Sequence, residues 1–254
     1  MKLAGRTILI TGGSSGIGLE LAKQLLLRGN TVLITGRDQG KLDAAKASLP
    51  GVHAFNSDAS DPSAIASLHD RVVAEFPKLD TLINNAGIMR NLNLNHPHDL
   101  ADVTREIEIN LCGPVRMVQQ FLPHLKTREH ALIVNVSSGL AFVPLPLSPV
   151  YCATKAAIHS FSQSLRVQLD GTRVTVVELA PPGVETPLFR DEFQEELKGQ
   201  KGMEVGEFAK RAITGIESGK LEIRPGLSNV LKVMSRVAPS FMLGQMAKMS
   251  KPKK

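Results

Sequence analysis

Short apolar runs alternate with amphipathic stretches along most of the chain. Six runs rich in β-branched residues predict strands, and nearly all are apolar throughout, which is typical of parallel strands covered on both faces. They are Thr7–Thr11, Thr31–Thr35, Val52–Asn56, Thr81–Asn84, Ala131–Val136 and Arg173–Leu179. Between them, apolar residues at three- and four-residue spacing predict helices, for example at Ile17–Leu27, Asp61–Glu75 and Ala156–Leu169.

This alternation predicts an α/β fold, with a single Rossmann-type, doubly wound parallel sheet of six or seven strands and helices on both faces. At 254 residues the chain can fold around one hydrophobic core. We expect residues 1–226 to form that domain and residues 227–254 to form a basic C-terminal extension with a disordered end. The strand pattern is lost after Thr186, so the sequence itself does not place a seventh strand.

The composition is that of an ordinary globular protein, with 43% hydrophobic and 21% charged residues. It excludes disordered, collagen-like and disulfide-scaffold proteins. No apolar run approaches the roughly 18 residues of a membrane-spanning helix, and the N-terminal segment has no signal-peptide pattern. Cys112 and Cys152 are too few for a disulfide framework or a cysteine zinc site. We therefore expect a cytoplasmic protein with reduced thiols.

The charge is unevenly distributed along the chain. The 30 Lys and Arg residues exceed the 24 Asp and Glu residues, but residues 227–254 hold six basic residues and no acidic one. The preceding part is therefore balanced, and we expect no nucleic-acid partner. In the extension, apolar positions from Val230 to Met246 allow an amphipathic helix interrupted at Pro239. We expect it to pack on its own body or on a neighbouring subunit, with peripheral membrane contact as the alternative.

A glycine-rich loop follows the first predicted strand and opens the first predicted helix. Its glycines permit a tight turn, a close approach of a diphosphate and close helix packing, while N–H groups at the helix start face the anion. The candidate cofactor-binding residues are Gly12, Ser14, Ser15, Gly16, Ile17 and Gly18. An ordinary strand-to-helix turn is the alternative, but the position in the first βαβ unit favours a dinucleotide.

Arg37 follows the second predicted strand, about twenty residues beyond the loop, where the residue that reads the adenosine ribose is found. A guanidinium there accommodates a 2′-phosphate and predicts NADP. Asp38 is adjacent, and if its carboxylate faces the ribose, NAD is also used. The cofactor is therefore expected to be NADP, with NAD possible.

Tyr151 and Lys155 are four residues apart on one predicted helix face, so the ammonium can lie near the phenol. A nearby cation lowers a phenol pKa and allows proton exchange at working pH. Ser137 and Ser138 end the preceding strand, without the G-x-S-x-G turn of serine hydrolases. The pattern indicates an acid–base site, although Tyr-x-x-x-Lys alone is common on helix surfaces.

Two further patterns have simple interpretations. His96-Pro97-His98-Asp99 contains metal-ligand types, but Pro97 prevents a helical pair and no second cluster completes a shell. We expect no metal, and predict Asp99 as a helix N-cap. Cys152 is interpreted as a packed side chain rather than a reactive thiol.

Taken in order and spacing, these motifs resemble the short-chain dehydrogenase/reductase family, in its subset of chains of this length. The resemblance extends from residue 5 to about residue 190. Stretches after Ser138 and Tyr151 are similar to a bacterial subgroup of oxidoreductases linked to teichoic acid D-alanylation, whose name implies no substrate here. The motifs are Thr11–Gly18, Asn84–Gly87, Asn110, Ser138, Tyr151, Lys155 and Pro182-Gly183.

The resemblance implies a role for each catalytic residue. Tyr151 would be the acid in carbonyl reduction or the base in alcohol oxidation, and Ser138 would hold the substrate oxygen. Lys155 would lower the Tyr151 pKa and bind the nicotinamide ribose, and Asn110 would anchor a water. The implied cofactor contacts are Asp58, Asn85, Val184 and Thr186, whereas Asn84 is either a contact or a tie between strands.

The implied function is NADP-preferring interconversion of a ketone or aldehyde and an alcohol. A non-catalytic dinucleotide-binding regulator or scaffold is the alternative, because a fold alone does not establish chemistry. The expected partners are an apolar small-molecule substrate and copies of the chain in a homodimer or homotetramer. A lid is expected at about residues 185–205. The candidate substrate wall comprises Leu140, Phe142, Val143, Leu145, Leu147, Leu188, Phe189 and Phe193.

Overall fold

The computed structural model describes residues 2–191, 193, 199 and 201–249. In this part of the chain, seven strands form one parallel sheet in the order β3-β2-β1-β4-β5-β6-β7. The strands are β1 Thr7–Ile10, β2 Thr31–Gly36, β3 His53–Asn56, β4 Leu79–Asn84, β5 Ala131–Val136, β6 Val174–Leu179 and β7 Glu222–Ile223. The sheet confirms the predicted doubly wound fold, and its order reverses between β1 and β4, where such sheets bind ligands.

Helices connect the strands and cover both faces of the sheet. Those up to the fifth strand are α1 Gly16–Leu26, α2 Gln39–Ser48, α3 Pro62–Glu75, α4 Leu100–Val103, α5 Arg105–Ile107 and α6 Gly113–Lys126. The later helices are α7 Pro149–Gln168, α8 Pro187–Arg190, α9 Val205–Glu217, α10 Leu227–Val237 and α11 Pro239–Met249. A π-helical turn, Glu108–Cys112, joins α5 to α6, and a 3₁₀ turn, Gly139–Ala141, follows β5. Asp99 caps α4 by accepting a hydrogen bond from the Asp102 N–H, as predicted.

The core consists of two apolar layers, one on each side of the sheet. Along β1, Ile8 and Ile10 face the layer that also contains residues of α1, α2 and α9. Leu9 faces the layer that contains residues of α3, α6 and α7. Because both faces are covered, β1 is buried at all four positions, which explains its continuous apolar sequence.

The C-terminal part of the described chain adds two features to the prediction. A short seventh strand, Glu222–Ile223, pairs with β6 before the extension begins, where the sequence pattern indicated no strand. The extension then forms α10 and α11, separated before Pro239 as predicted, and packs on the body of the same chain. The end predicted to be disordered, residues 250–254, lies outside the described residues. Among the described helices, none has the length and apolar character needed to cross a membrane.

Candidate active site

The glycine-rich loop joins β1 to α1 in a conformation that side chains would prevent. Gly12 has φ +64°, and a Cβ there would lie 2.8 Å from Cα of Ala86 on the loop after β4. A Cβ on Gly18 would collide with the Gly12 carbonyl oxygen and with the Asn85 amide. Ser15 occupies the N-cap of α1 without a side-chain capping bond in the described structure. The first-turn N–H groups of α1 are therefore suited to an anionic ligand.

The loop after β4 braces the glycine-rich loop. The Asn85 side-chain amide donates hydrogen bonds to the carbonyl oxygens of Thr11 and Gly12, at 3.0 and 3.1 Å. Thr11 Oγ1 in turn accepts from the N–H groups of Asn85 and Ala86. Asn84 donates to Asn135 Oδ1 at 2.9 Å, so it ties β4 to β5, which was one of its two predicted roles.

Two adjacent charged residues at the end of β2, Arg37 and Asp38, have different surroundings. Asp38 is the N-cap of α2, and its Oδ1 accepts a hydrogen bond from the Lys41 N–H at 3.0 Å. Arg37 is exposed beside it. Burial raises the pKa of Asp58, but hydrogen bonds from Ser60 and the charge of Arg37 outweigh it, so the net shift is downward. Arg37 and Asp58 therefore lie near each other, at the ends of neighbouring strands.

Ser138, Tyr151 and Lys155 lie together at the carboxyl end of β5. The side chains of Ser138 and Tyr151 are hydrogen-bonded, and Lys155 Nζ lies 5.6 Å from the centre of the Tyr151 ring. Lys155 Nζ donates a hydrogen bond to the Val136 carbonyl oxygen at 2.9 Å, which fixes it against the strand. All three side chains are buried, so the charge of the Lys155 ammonium is poorly screened by water.

Burial has the largest effect on the pKa values of Tyr151 and Lys155. It raises the pKa of the Tyr151 phenol, and the hydrogen bond with Ser138 opposes that shift. The pKa of the phenol thus moves in the direction opposite to the one predicted from the nearby ammonium. Burial also lowers the pKa of Lys155 to about 8, against the opposing charge of Glu106. Without further charges, Tyr151 is therefore a protonated acid at neutral pH.

Asn110 lies in the π-helical turn and does not line the cavity described below. Its Oδ1 accepts from the Ile88 N–H at 2.9 Å, and its Nδ2 donates to the Ile88 carbonyl at 2.8 Å. A Cβ added to Gly87 would lie 3.2 Å from Asn110 Oδ1 and 3.6 Å from Lys155 Nζ, so the two side chains meet beside Gly87. Such π turns frequently occur at functional sites.

A cavity of about 650 Å³ extends from the glycine-rich loop to Tyr151. Gly18, Arg37, Asp58 and Asn110 lie outside its wall. The other predicted site residues line it together: Gly12, Ser14, Ser15, Gly16, Ile17, Asn85, Ser138, Tyr151, Lys155, Val184 and Thr186. The residues present therefore fit a dinucleotide, because the glycine cradle, an open helix N-terminus and the buried lysine share one space.

The apolar wall of the cavity is only partly the predicted one. Of the predicted substrate wall, Leu140, Leu145, Leu188 and Phe189 line the cavity. Phe193 is fully buried in the protein, and Phe142 packs edge-on against His159. The remaining two, Val143 and Leu147, belong to a cluster around Tyr151.

The sequence analysis missed the apolar residues that complete this wall. They are Met89, Met203, Leu227, Leu231 and Met246. Three of them lie on α10 and α11, so the C-terminal extension closes one side of the cavity. The apolar spacing in the extension signalled helices, but nothing local in the sequence showed which helix face would meet the site.

The segment predicted as a lid begins at Glu185, and part of it lies outside the described residues. Both Glu185 carboxylate oxygens accept hydrogen bonds from Arg190, at 2.6 and 2.9 Å. The Gly202 N–H also donates to Glu185, and the Arg190 hydrogen bonds lower the pKa of Glu185 most strongly. The Glu185 carboxylate, which lies between Val184 and Thr186 in the chain, therefore links Arg190 to Gly202.

A polar cluster behind α7 connects this helix to the extension. Lys232 Nζ on α10 donates to His159 Nε2 at 2.9 Å, and His159 Nδ1 lies 2.6 Å from Glu178 Oε2. Because Nε2 accepts, the His159 proton is on Nδ1 and is donated to Glu178. Ser137, adjacent to Ser138, donates to the other Glu178 oxygen. Lys232 also lies 3.6 Å from Glu222 Oε1, which is paired with Arg224 as well.

A family profile described as short chain dehydrogenase matches residues 6–197. The chain belongs to the short-chain dehydrogenase family. An uncharacterized oxidoreductase, DltE, of Bacillus subtilis is 45% identical over 224 residues, which cover 88% of this chain and 89% of the relative. A fatty acyl-CoA reductase of Acinetobacter baylyi is 34% identical, over 74% of this chain and 65% of that protein.

Solved structures of short-chain dehydrogenases share the fold over nearly the whole chain. The Burkholderia cenocepacia enzyme in complex with NADP has a TM-score of 0.83 and 26% identity, covering 99% of this chain and 100% of that one. The Sphingobium yanoikuyae enzyme in complex with NADPH has a TM-score of 0.80 and 27% identity, with coverages of 98% and 97%. The predicted family membership and fold are both confirmed.

Proposed function

We propose that this oxidoreductase interconverts a ketone or aldehyde and an alcohol with a nicotinamide cofactor, preferentially NADP, and that Tyr151 transfers the proton. The supporting observation is the cavity itself, which holds Tyr151, Ser138 and Lys155 at one end and the glycine cradle at the other. A dinucleotide lying on the cradle reaches the buried acid through one continuous space. Neither end alone would indicate hydride transfer.

Each catalytic side chain has a defined task in carbonyl reduction. When bound, the cofactor supplies the hydride, and negative charge then develops on the substrate oxygen. Tyr151 donates its phenolic proton to that oxygen, and the Ser138 hydroxyl donates a hydrogen bond to it. Lys155, fixed by the Val136 carbonyl, provides positive charge near the phenol and a donor for a ribose hydroxyl. In alcohol oxidation the proton moves from the substrate to Tyr151.

The preference for NADP rests on Arg37 and Asp38. The Asp38 carboxylate caps the N-terminus of α2. Arg37 is exposed at the end of β2, where a ribose 2′-phosphate is bound in this type of fold. Structural neighbours of this chain are complexes with NADP, NADPH or NADH. We propose NAD as the weaker cofactor, because the Asp38 carboxylate that would bind its ribose is engaged at the N-cap of α2.

The substrate is proposed to be apolar. The cavity wall contains Leu140, Leu145, Phe189 and the methionines at 89 and 246. Methionine side chains adapt to ligands of varied shape, which suits an aliphatic chain better than a single rigid ring. The fatty acyl-CoA reductase among the relatives is consistent with an aliphatic carbonyl compound.

We also propose a cytoplasmic location and assembly into homodimers or homotetramers. Both cysteines are free thiols, as expected in a reducing compartment. The helices that carry the site expose apolar side chains, among them Val115 on α6 and Val167 on α7. Sedimentation velocity tests the assembly, since Val167→Asp should shift the population toward monomer.

The decisive experiment is Tyr151→Phe, assayed by NADPH absorbance with a panel of aliphatic ketones and aldehydes. The variant should bind NADPH with unchanged affinity and lose about 10² to 10⁴ in turnover, because positioned proton transfer contributes about that much. Equal loss of binding and turnover would make Tyr151 structural. If the wild-type protein binds NADPH but reduces no carbonyl compound in the panel, the non-catalytic dinucleotide-binding alternative is favoured.

A further inference from the structure

Helix α10 turns one face to the body of the protein and leaves another face exposed. Leu231, Lys232 and Ser235 follow Ser228 by three, four and seven residues and share its face; Ser228 and Leu231 are buried, and the other two are half-buried. The Lys232 ammonium is engaged with His159 and Glu222, as described above. Three of these four inward residues are polar, which is unusual for a surface helix.

The opposite face of α10 is exposed and apolar. Leu227 is 59% exposed, Val230 and Val233 are about half exposed, and Val237 is 73% exposed. On α11, Phe241 is 58% exposed. We call these five residues the α10–α11 apolar surface. Single exposed apolar residues are ordinary, but a grouped set marks an interaction site.

The charged residues of α10 and α11 are all basic. Arg236 and Lys248 are exposed in the last turns of α10 and α11, and neither forms an ion pair with any residue that the structure describes. Residues 227–254 contain six basic and no acidic residues, while the preceding part of the chain carries 24 of each sign. The net charge of the chain therefore equals that of its C-terminal segment, and two of these charges are exposed on the helices that carry the α10–α11 apolar surface.

From this combination we propose that the α10–α11 apolar surface binds the anionic face of a lipid bilayer. Apolar side chains enter the boundary between headgroups and acyl chains, and flanking basic side chains contact anionic headgroups. A second copy of the chain is a poorer partner, because a symmetric contact would bring Arg236 and Lys248 of each copy toward like charges. An acidic bilayer satisfies both the apolar and the charged parts of the surface.

The position of the surface gives this contact a use that goes beyond the proposed reaction. Leu227 is exposed on the α10–α11 apolar surface and also lines the cavity. Leu231 and Met246, on the inner sides of the same helices, line the cavity as well. A bilayer bound here lies next to the cavity wall, so an apolar compound can pass between membrane and site with little exposure to water.

The test is sedimentation of the full-length protein with vesicles of phosphatidylcholine alone or with phosphatidylglycerol added. The protein should sediment with the anionic vesicles and remain in solution with the neutral ones. Binding should weaken in about 0.5 M salt, where the Debye length is only a few ångströms. Equal binding to both vesicle types, or no binding to either, would overturn the proposal.

Variants separate the apolar from the charged contribution. Arg236→Gln with Lys248→Gln should weaken binding about 25-fold, because each basic residue near an anionic surface contributes about fivefold. The matched control is Lys46→Gln with Lys126→Gln, since these lysines are also exposed in the last turns of helices, α2 and α6. The control should bind like wild type, and an equal loss in both pairs would indicate only general charge attraction.

The apolar part is tested by Val237→Ser with Phe241→Ser. This variant should lose most vesicle binding, whereas Leu27→Ser with Leu100→Ser, at exposed apolar positions elsewhere, should not. Sedimentation velocity is run on the same proteins without lipid. If Val237→Ser with Phe241→Ser instead converts an oligomer to monomer, a second copy covers the surface and the membrane proposal is wrong. NADPH binding, measured in parallel, shows that the site remains folded.

Discussion

Lys232 Nζ lies 2.9 Å from His159 Nε2, which joins the C-terminal extension to α7 one turn beyond Lys155. The ammonium also lies 4.5 Å from the centre of the Phe142 ring. One side chain thus contacts α7, the segment after β5 and, through Glu222, the seventh strand. The extension is held by this polar anchor in addition to its apolar contacts.

Lys232→Met should therefore destabilise the protein even though the side chain keeps its length. Removing one partner of a partly buried polar cluster costs about 1–3 kcal/mol, since His159 loses its donor, while Glu222 keeps its contact with Arg224. For a chain of this size, we expect Tm to fall by about 2–4 °C per kcal/mol. Lys220→Met, at an exposed lysine, is the control in the same thermal unfolding assay. An unchanged Tm for Lys232→Met would contradict the anchoring role.

Gly18→Ala should impair both stability and cofactor binding. The added Cβ would collide with the Gly12 carbonyl and the Asn85 amide, which brace the loop. Overpacking of this kind costs about 1–3 kcal/mol. Gly244→Ala, on α11 in open space, should instead stabilise the helix by about 0.5–1 kcal/mol. Urea unfolding and NADPH titration of both variants measure the contrast, and similar behaviour of the two would refute it.

The buried ammonium of Lys155 predicts a pH-dependent stability. Its pKa is about 8 in the folded protein and 10.5 as a free side chain, mainly because of burial. Between these values the unfolded chain binds more protons, so stability rises with pH through this window. The slope is at most about 1.4 kcal/mol per pH unit.

The measurement compares wild type with Lys155→Met in urea across this window. The stability of wild type relative to the variant should increase with pH. The raised pKa of Tyr151 has the opposite sign, because the folded protein then binds more protons above pH 10, but it is common to both proteins. A difference independent of pH would contradict the lowered Lys155 pKa.

Arg37→Ala should weaken NADP binding far more than NAD binding. A charge-assisted hydrogen bond contributes about 1.5–3 kcal/mol, so NADP affinity should fall about 10- to 100-fold. Lys41→Ala removes an equivalent charge from the adjacent helix α2 and should affect both cofactors little. Isothermal titration with each cofactor measures the ratio. An unchanged NADP-to-NAD ratio in Arg37→Ala would remove the basis for preferring NADP.

The sequence predicted the site to the extent that its residues are consecutive or near a strand end. Six strands, the loop from Gly12 to Gly18 and the Tyr151–Lys155 pair are local patterns, and periodicity and glycine spacing identify them. The contacts of Asp38 and Asn84 needed coordinates, because a carboxylate can cap a helix or face a ribose with the same neighbours. The predicted direction of the Tyr151 pKa shift was wrong. Burial, which a linear sequence does not show, raises this pKa more than other contacts lower it.

The cavity is enclosed on one side by the centre of the sheet and on the other by α10 and α11. The sheet side is held by ladders and both core layers, so its amide protons should exchange with solvent only through global unfolding. The helix pair has one outward apolar face and fewer buried side chains, and its amides should exchange through a smaller opening of lower free energy. Hydrogen exchange should therefore detect local unfolding of one helical hairpin while the rest of the molecule stays native.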